Sequence, residues 1–299
     1  MFRMLLTLSL VCLFDARGAV ASDGQTAQPS RPAIAVAVPD ATQELVLRDS
    51  TRAIGRVERV DGAHITFRTT SGAAVDVNES DIVSVRTVTG RIVNGEFLPA
   101  DSNPTRLFFA PTGRALRQGE GYVGVYEIML PFVQVGLTDR ISIGAGTPLF
   151  FGSGTEHPFW VTPKVQVFNG TSTQAAVGIL HFMNVGDGNL GIAYSVVTHG
   201  SADSAVTAGV GYAYERTSDD HHGAGVVMIG GERRVSRGVK LVTENYVWRG
   251  GGIVMGGVRW LGENLSADFG LAAPLGLDET IVFPMVNVVW RFSGKRAPN

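Results

Sequence analysis

The densest group of titratable residues in the chain is Asp219-Asp220-His221-His222. Aspartate and histidine can ligate a metal or form a hydrolytic pair. Neighbouring residues of one loop seldom converge on a single ion, so the same group reads equally as a solvated loop tip between strands, and that reading is favoured. His181, beside Phe182, could serve a barrel lipase, but the sequence places no serine as its partner, and a lumen or interface histidine fits better. The chain has no P-loop, no G-x-S-x-G elbow and no H-E-x-x-H. No catalytic, cofactor-binding or metal-ligating residue is therefore assigned, no cofactor is expected, and a non-enzymatic role is favoured. A second set of polar residues is Glu127, Gln134, Lys164, Gln166, Arg259, Asp268, Asn287 and Arg291. These recur within otherwise apolar segments and could line a polar pathway or form ion pairs that fill a narrow interior. Arg106, Arg114 and Arg117 lie close together and could meet anionic lipid head groups or simply be solvated.

Composition bounds what could position such residues. The chain has 299 residues, 17% charged and 44% hydrophobic, with 38 glycines. The charged fraction is low beside the roughly 25% of an ordinary soluble domain. Abundant glycine suits turn-rich, closely packed strands. A formal net charge of -2 suggests no nucleic-acid partner. The single cysteine, Cys12, lies in an apolar leader, which leaves no disulfide framework after it.

That leader reads as a signal peptide over residues 1–21: Arg3 is the basic start, Met4 to Phe14 the apolar core and Ala19-Val20-Ala21 the cleavage site. Residues 22–42 read as a linker rich in Pro, Ala, Ser and Gln. Residues 43–97 read as a small periplasmic β domain of SH3-like or Sm-like type, with strands at 45–47, 53–60, 64–69, 74–77 and 82–88 and a hairpin signal at Asp61-Gly62. Residues 98–120 read as a connector with a turn at Asp101-Ser102-Asn103-Pro104 and an extended run from Thr105 to Pro111.

From Gly121 onward, segments of about ten residues alternate in polarity between turns, the pattern of a transmembrane β-barrel. About twelve strands are expected on that pattern: 121–129, 131–138, 141–149, 159–168, 173–182, 189–198, 204–214, 224–234, 238–248, 252–261, 264–272 and 280–292. In 131–138, Val133, Val135 and Leu137 oppose Gln134 and Gly136. In 264–272, Leu265, Ala267, Phe269 and Leu271 oppose Ser266, Asp268 and Gly270. The segments 224–234, 238–248 and 252–261 alternate less cleanly. The polar face is small and sparsely charged, which favours a lipid-facing barrel over a water-facing one. Aromatics near strand ends (Tyr122, Phe159, Trp160, Phe168, Tyr212, Tyr214, Trp248, Trp260, Trp290, Phe292) suit interfacial girdles. The longer connections (150–158, 183–188, 215–223, 273–279) fall on one side of the barrel. The fold class is thus all-β, an antiparallel transmembrane barrel over 121–292 preceded by the small β domain, with a tail at 293–299. The decisive geometric check is whether Val286 and Val288 face outward and Asn287 inward.

Two passages resemble known families. Gly136-Leu137-Thr138-Asp139-Arg140-Ile141-Ser142-Ile143-Gly144 resembles a recurring hairpin of Gram-negative outer-membrane barrels, including some loosely linked to aromatic-compound degradation. Val286-Asn287-Val288-Val289-Trp290-Arg291-Phe292 resembles the closing strand read by the barrel-assembly machinery. The resemblance implies export to the cell outer membrane, with membrane lipid and the assembly machinery as partners and an unknown small-molecule ligand or substrate. The role is of binding, transport or structural type. A cell-surface barrel enzyme acting on lipid or peptide, or a secreted soluble barrel holding an apolar ligand, stays open as an alternative.

Overall fold

A computed structural model describes residues 41–149, 157–218, 220–276 and 281–293. The expected signal peptide, most of the expected linker and most of the expected tail lie outside these residues.

The first sheet holds β1 (Gln43–Leu47), β2 (Arg52–Asp61), β3 (His64–Thr69), β4 (Ala74–Asn78) and β5 (Ile82–Thr87), in the order β4-β3-β2-β1-β5. The last strand returns beside the first, and the sheet is antiparallel throughout. Asp61 pairs with His64, so the β2–β3 hairpin turns on Gly62-Ala63, and Gly62 takes the left-handed φ of 59° that glycine tolerates. Leu45, Val57, Ile65 and Phe67 form its buried centre. A core this small leaves little reserve. Phe67→Ala is expected to cost about 3–5 kcal/mol and expose residues 43–87 to limited proteolysis, while the barrel keeps its gel mobility. Coincident loss of both would show that the two parts fold as one.

A hairpin not anticipated from the sequence follows: β6 (Gly90–Val93) and β7 (Glu96–Pro99). Its turn is Asn94-Gly95, both at positive φ, the chemistry of a two-residue I′ turn.

The second sheet closes on itself. Its strands are β8 (Glu120–Tyr126), β9 (Leu130–Gly136), β10 (Ile141–Gly146), β11 (Phe159–Val161), β12 (Lys164–Asn169), β13 (Thr173–Val185), β14 (Gly188–Gly200), β15 (Ser204–Arg216), β16 (His221–Ser236), β17 (Val239–Trp248), β18 (Gly251–Leu261), β19 (Leu265–Leu275) and β20 (Phe283–Ser293). β11 and β12 both run between β10 and β13, so they are two halves of one stave. Pro163, which has no N–H to donate, falls in the break. Closure comes from β20 pairing with β8, Asn287 opposite Tyr126 through Ser293 opposite Glu120. The barrel therefore has twelve staves, all antiparallel.

The faces answer the geometric check. Asn287 is 1% exposed and points inward, whereas Trp290 on the opposite face is 49% exposed, with Val286 and Val288 beside it on that outer face. The outer face is apolar all round the ring, for example Val133, Ile143, Val177, Val197, Val210, Val227, Leu241, Val258 and Phe269. Phe168, Trp260 and Trp290 stand outward at one end of the barrel, and Phe159 and Tyr212 at the other. Two expected girdle members are corrected. Tyr122 and Trp160 sit on the inward parity of their strands and are buried inside, 0% and 5% exposed. Two expected long loops are also corrected. Residues 183–188 and 215–223 are mostly strand, because β13 to β16 continue past the neighbouring staves and turn tightly at Gly186-Asp187 and Thr217 to Asp220.

The end of the barrel where β8 begins meets the first sheet. Arg86 of β5 pairs with Glu263 at 2.6 Å, Arg91 of β6 pairs with Asp203, and Arg234 of β16 donates to the Pro99 carbonyl at 2.9 Å. This end is the near end of the barrel.

Candidate functional site

The expected connector is not a link outside the barrel. From Asp101 to Leu116 it runs into the lumen from the near end, turns, and runs back out to β8. Leu107 N–H donates to the Ala110 carbonyl and Thr112 N–H to the Thr105 carbonyl, each at 2.9 Å, and Arg106 bridges Pro111. The expected extended run is thus a tight hairpin with Phe108-Phe109 at its tip. Asn103, Leu107 and Phe108 are all 0% exposed.

Burial creates a demand. A hairpin inside a barrel has no sheet neighbour, so its remaining backbone groups must find side-chain partners or carry the cost of desolvation. The inward residues of the staves supply them. Arg259 Nη1 donates to the carbonyls of Asn103 (3.0 Å) and Arg106 (3.2 Å), and its Nη2 to that of Leu107. Lys164 Nζ donates to the carbonyls of Thr112 (3.2 Å) and Arg114 (2.7 Å). Gln166 serves the Gly113 carbonyl at 2.9 Å, and Asn287 the Phe108 carbonyl at 3.3 Å. Glu244 Oε2 accepts from both tip amides, Phe109 and Ala110, at 3.0 Å each, while its Oε1 accepts from Tyr246. Gly113 must be glycine, because a Cβ there would lie 2.2 Å from the Gln174 carbonyl of the wall.

Ion pairs lock the base of the hairpin. Asp101 takes Lys240 at 2.7 Å and Arg259 at 3.2 Å, Arg259 also holds Asp268 at 2.6 Å, and Glu232 joins Lys240 (2.9 Å) to Arg114. Around the tip the lumen changes character. Met228, Val242, Met255 and Met285 pack around Phe108, and Tyr126, Phe132 and Trp160 form a second cluster. A cavity of about 100 Å³ remains beside the tip, walled by Phe109, Leu180, Ile192, Tyr194, Met228 and Tyr246, with Arg106 at its edge.

Of the expected lumen residues, Gln134, Lys164, Gln166, Arg259, Asp268 and Asn287 are brought together around the hairpin. Arg291 instead pairs with Glu120 at the near rim (2.9 Å), and Glu127 lies in the β8–β9 turn at the far rim. Arg106 is buried in the hairpin and Arg114 is half-buried at its base against Glu232, so neither meets lipid head groups, and Arg117 alone of the three is exposed. Glu232, Lys240 and Glu244 were missed. The signal was present in the three segments that alternate poorly: their inward faces mix apolar residues (Met228, Val242, Met255) with charged ones (Glu232, Lys240, Glu244, Arg259), so those faces are not uniform. His181 points outward and pairs with the Tyr214 hydroxyl at 2.8 Å. Asp220, in the turn before β16, pairs with the exposed His222 of that strand at 2.9 Å, Asp219 lies outside the described residues, and among those described no group of metal-ligating residues converges.

Fold and site together define a class: a closed antiparallel barrel of twelve staves whose lumen is occupied by its own hairpin, carrying a small separate β-sheet. No family model and no curated protein matches the chain. Solved structures of Gram-negative outer-membrane barrels are similar to it at low identity. The KdgM porin in complex with disordered oligogalacturonate shares 7% identity over 58% of this chain and 98% of its own, at a TM-score of 0.44. A loop-deleted OmpT, an outer-membrane protein of Vibrio cholerae, shares 13% over 84% and 96%, at 0.38. The NanC porin shares 9% over 59% and 99%, at 0.39.

Proposed function

We propose that the chain is an outer-membrane barrel closed at rest by its own hairpin, acting in binding or gated passage and not as a constitutively open pore. One observation carries the membrane part: the surface is inverted. A soluble barrel hides its apolar face and solvates its charges. Here the apolar face looks outward around the whole ring, far beyond the few hundred Å² of contiguous patch that soluble monomers expose, while Arg259, Lys240 and Glu244 are fully buried inside. Only lipid or detergent suits such an exterior. The closed part follows from the hairpin, whose backbone is hydrogen-bonded to the wall all around it. The near end is then periplasmic, with the small sheet beneath the barrel.

The test is solubility and gel mobility. The chain is expected to need detergent and to migrate faster unheated than boiled; a monomer that stays soluble without detergent overturns the reading. Val288→Arg, which puts a cation on the outer face of β20, is expected to cost about 2–4 kcal/mol near the bilayer midplane and to abolish the fast-migrating form. The matched inward change Val289→Ala should leave that form in place.

A further inference from the structure

The hairpin carries a cation that nothing inside the barrel balances. Asp101, Glu232 and Asp268 are each engaged by Lys240, Arg114 or Arg259. Glu244 spends its oxygens on the tip amides and Tyr246. That leaves one carboxylate without a cation against two cations without a carboxylate, Lys164 and Arg106. Lys164 is consumed by hairpin carbonyls. Arg106 is different. Its side chain is held by neutral groups only: Nε donates to the Tyr122 hydroxyl (3.0 Å) and Gln134 Oε1 (3.2 Å), Nη2 to the same Gln134 oxygen (2.6 Å), and Nη1 weakly to the Phe109 carbonyl (3.4 Å). Of the five guanidinium hydrogens, one on each terminal nitrogen stays unspent among the described residues. Tyr126 and Phe132 lie against its other side, with ring centroids 5.9 and 5.7 Å away.

Arg106 lines the cavity beside the hairpin tip, whose other walls are mainly apolar, among them Leu180, Ile192, Val196 and Met228, with Tyr194 and Tyr246. A buried cation needs an anion, and its cost in an apolar setting is several kcal/mol without one. Planar carboxylate matches the fork of two free N–H groups, and the apolar walls match a hydrocarbon body. We propose that the cavity is a binding site for a small hydrophobic monocarboxylate, a short aliphatic or single-ring aromatic acid, with its carboxylate on Arg106 and its body against Ile192 and Met228. Because Arg106 and Phe109 belong to the hairpin itself, an occupied site touches the element that closes the lumen. The site goes beyond the proposed role, since its chemistry is the same whatever the barrel does with the ligand.

Equilibrium dialysis of the full chain in detergent, with protein-free micelles subtracted, tests it using hexanoate, hexan-1-ol and hexylammonium as probes. Hexanoate is expected to bind about one per chain, at least about tenfold more tightly than hexan-1-ol, with hexylammonium excluded, in proportion to a charge-assisted pair against a neutral one. Arg106→Gln should lose that preference. Met228→Trp, which keeps Arg106 and fills the cavity, should lose hexanoate binding while keeping the unheated gel mobility of the folded barrel. Equal binding of acid and alcohol, hexanoate binding that survives Met228→Trp, or no binding above micelles would each overturn the proposal.

Discussion

Replacing Arg259 with methionine is expected to be the most damaging single change in the lumen, costing about 3–5 kcal/mol, the range for breaking a buried charge pair from one side. Its guanidinium is 0% exposed and joins two carboxylates, Asp101 and Asp268, to three hairpin carbonyls, those of Asn103, Arg106 and Leu107. Methionine fills similar volume, so packing is mostly kept. What is lost is the charge, which leaves Asp268 buried with no cation and Asp101 with Lys240 alone. The hairpin carbonyls lose their donors in the same stroke. The readout is the denaturant midpoint of the unheated band on gels. Adding Asp268→Asn to Arg259→Met should recover a large part of the loss, because the stranded carboxylate is then neutral. Equal damage from Lys240→Met would argue against this ranking. Lys240 donates to no hairpin carbonyl, and its loss leaves Asp101 held by Arg259 and Glu232 held by Arg114.

The barrel itself was legible because period-two alternation is a local property, and each stave carries it independently. Val133, Val135 and Leu137 against Gln134, or Leu265 and Phe269 against Asp268, assign inside and outside without reference to any neighbour. The pairing order followed from tight turns such as Asp139-Arg140. The small sheet was legible for the same reason. What resisted was everything that depends on two distant segments meeting. Residues 101–116 look like a connector with two arginines, and nothing within them says that they enter a lumen. Their partners lie as far away as Asn287. Read in reverse, the clue was distributed: single charges set into inward positions of β16, β17 and β18 have no reason to be there unless something polar meets them. Glu244 is the clearest case, a fully buried carboxylate whose purpose appears only with the amides of Phe109 and Ala110. Trp160 and Tyr122 were misplaced because an aromatic near a strand end serves a girdle or a core equally well, and only its parity within the strand decides. The hydrophobic tip Leu107-Phe108-Phe109-Ala110 likewise explains why alternation faded in β16 to β18, where the inward face includes Met228, Val242 and Met255.

In a planar bilayer, the intact chain is expected to be silent, and a chain whose residues Thr105 to Thr112 are replaced by a short Gly-Ser link is expected to conduct. Barrels of few strands fill their interiors with side chains, while wider ones leave a channel unless something occupies it. Here the occupant is one covalently attached hairpin, and the inward side chains around it are polar toward the near end. Removing it exposes Lys164, Glu244 and Arg259 to each other across the lumen, and water is the natural replacement for the lost backbone partners. Met228, Met255 and Met285 wall the lumen around the hairpin's former tip, so the open path narrows through a largely apolar collar there. Conductance should therefore be small, and Met228→Ser in the deleted chain should raise it. The link must preserve Asp101 and Arg114, because their pairs with Lys240 and Glu232 hold the base of the hairpin to the wall independently of its tip. If the intact chain conducts as well as the deleted one, the hairpin is no barrier and the lumen closes elsewhere. If neither conducts although both show the unheated gel mobility of a folded barrel, the wall alone closes the lumen and the hairpin serves only to satisfy it.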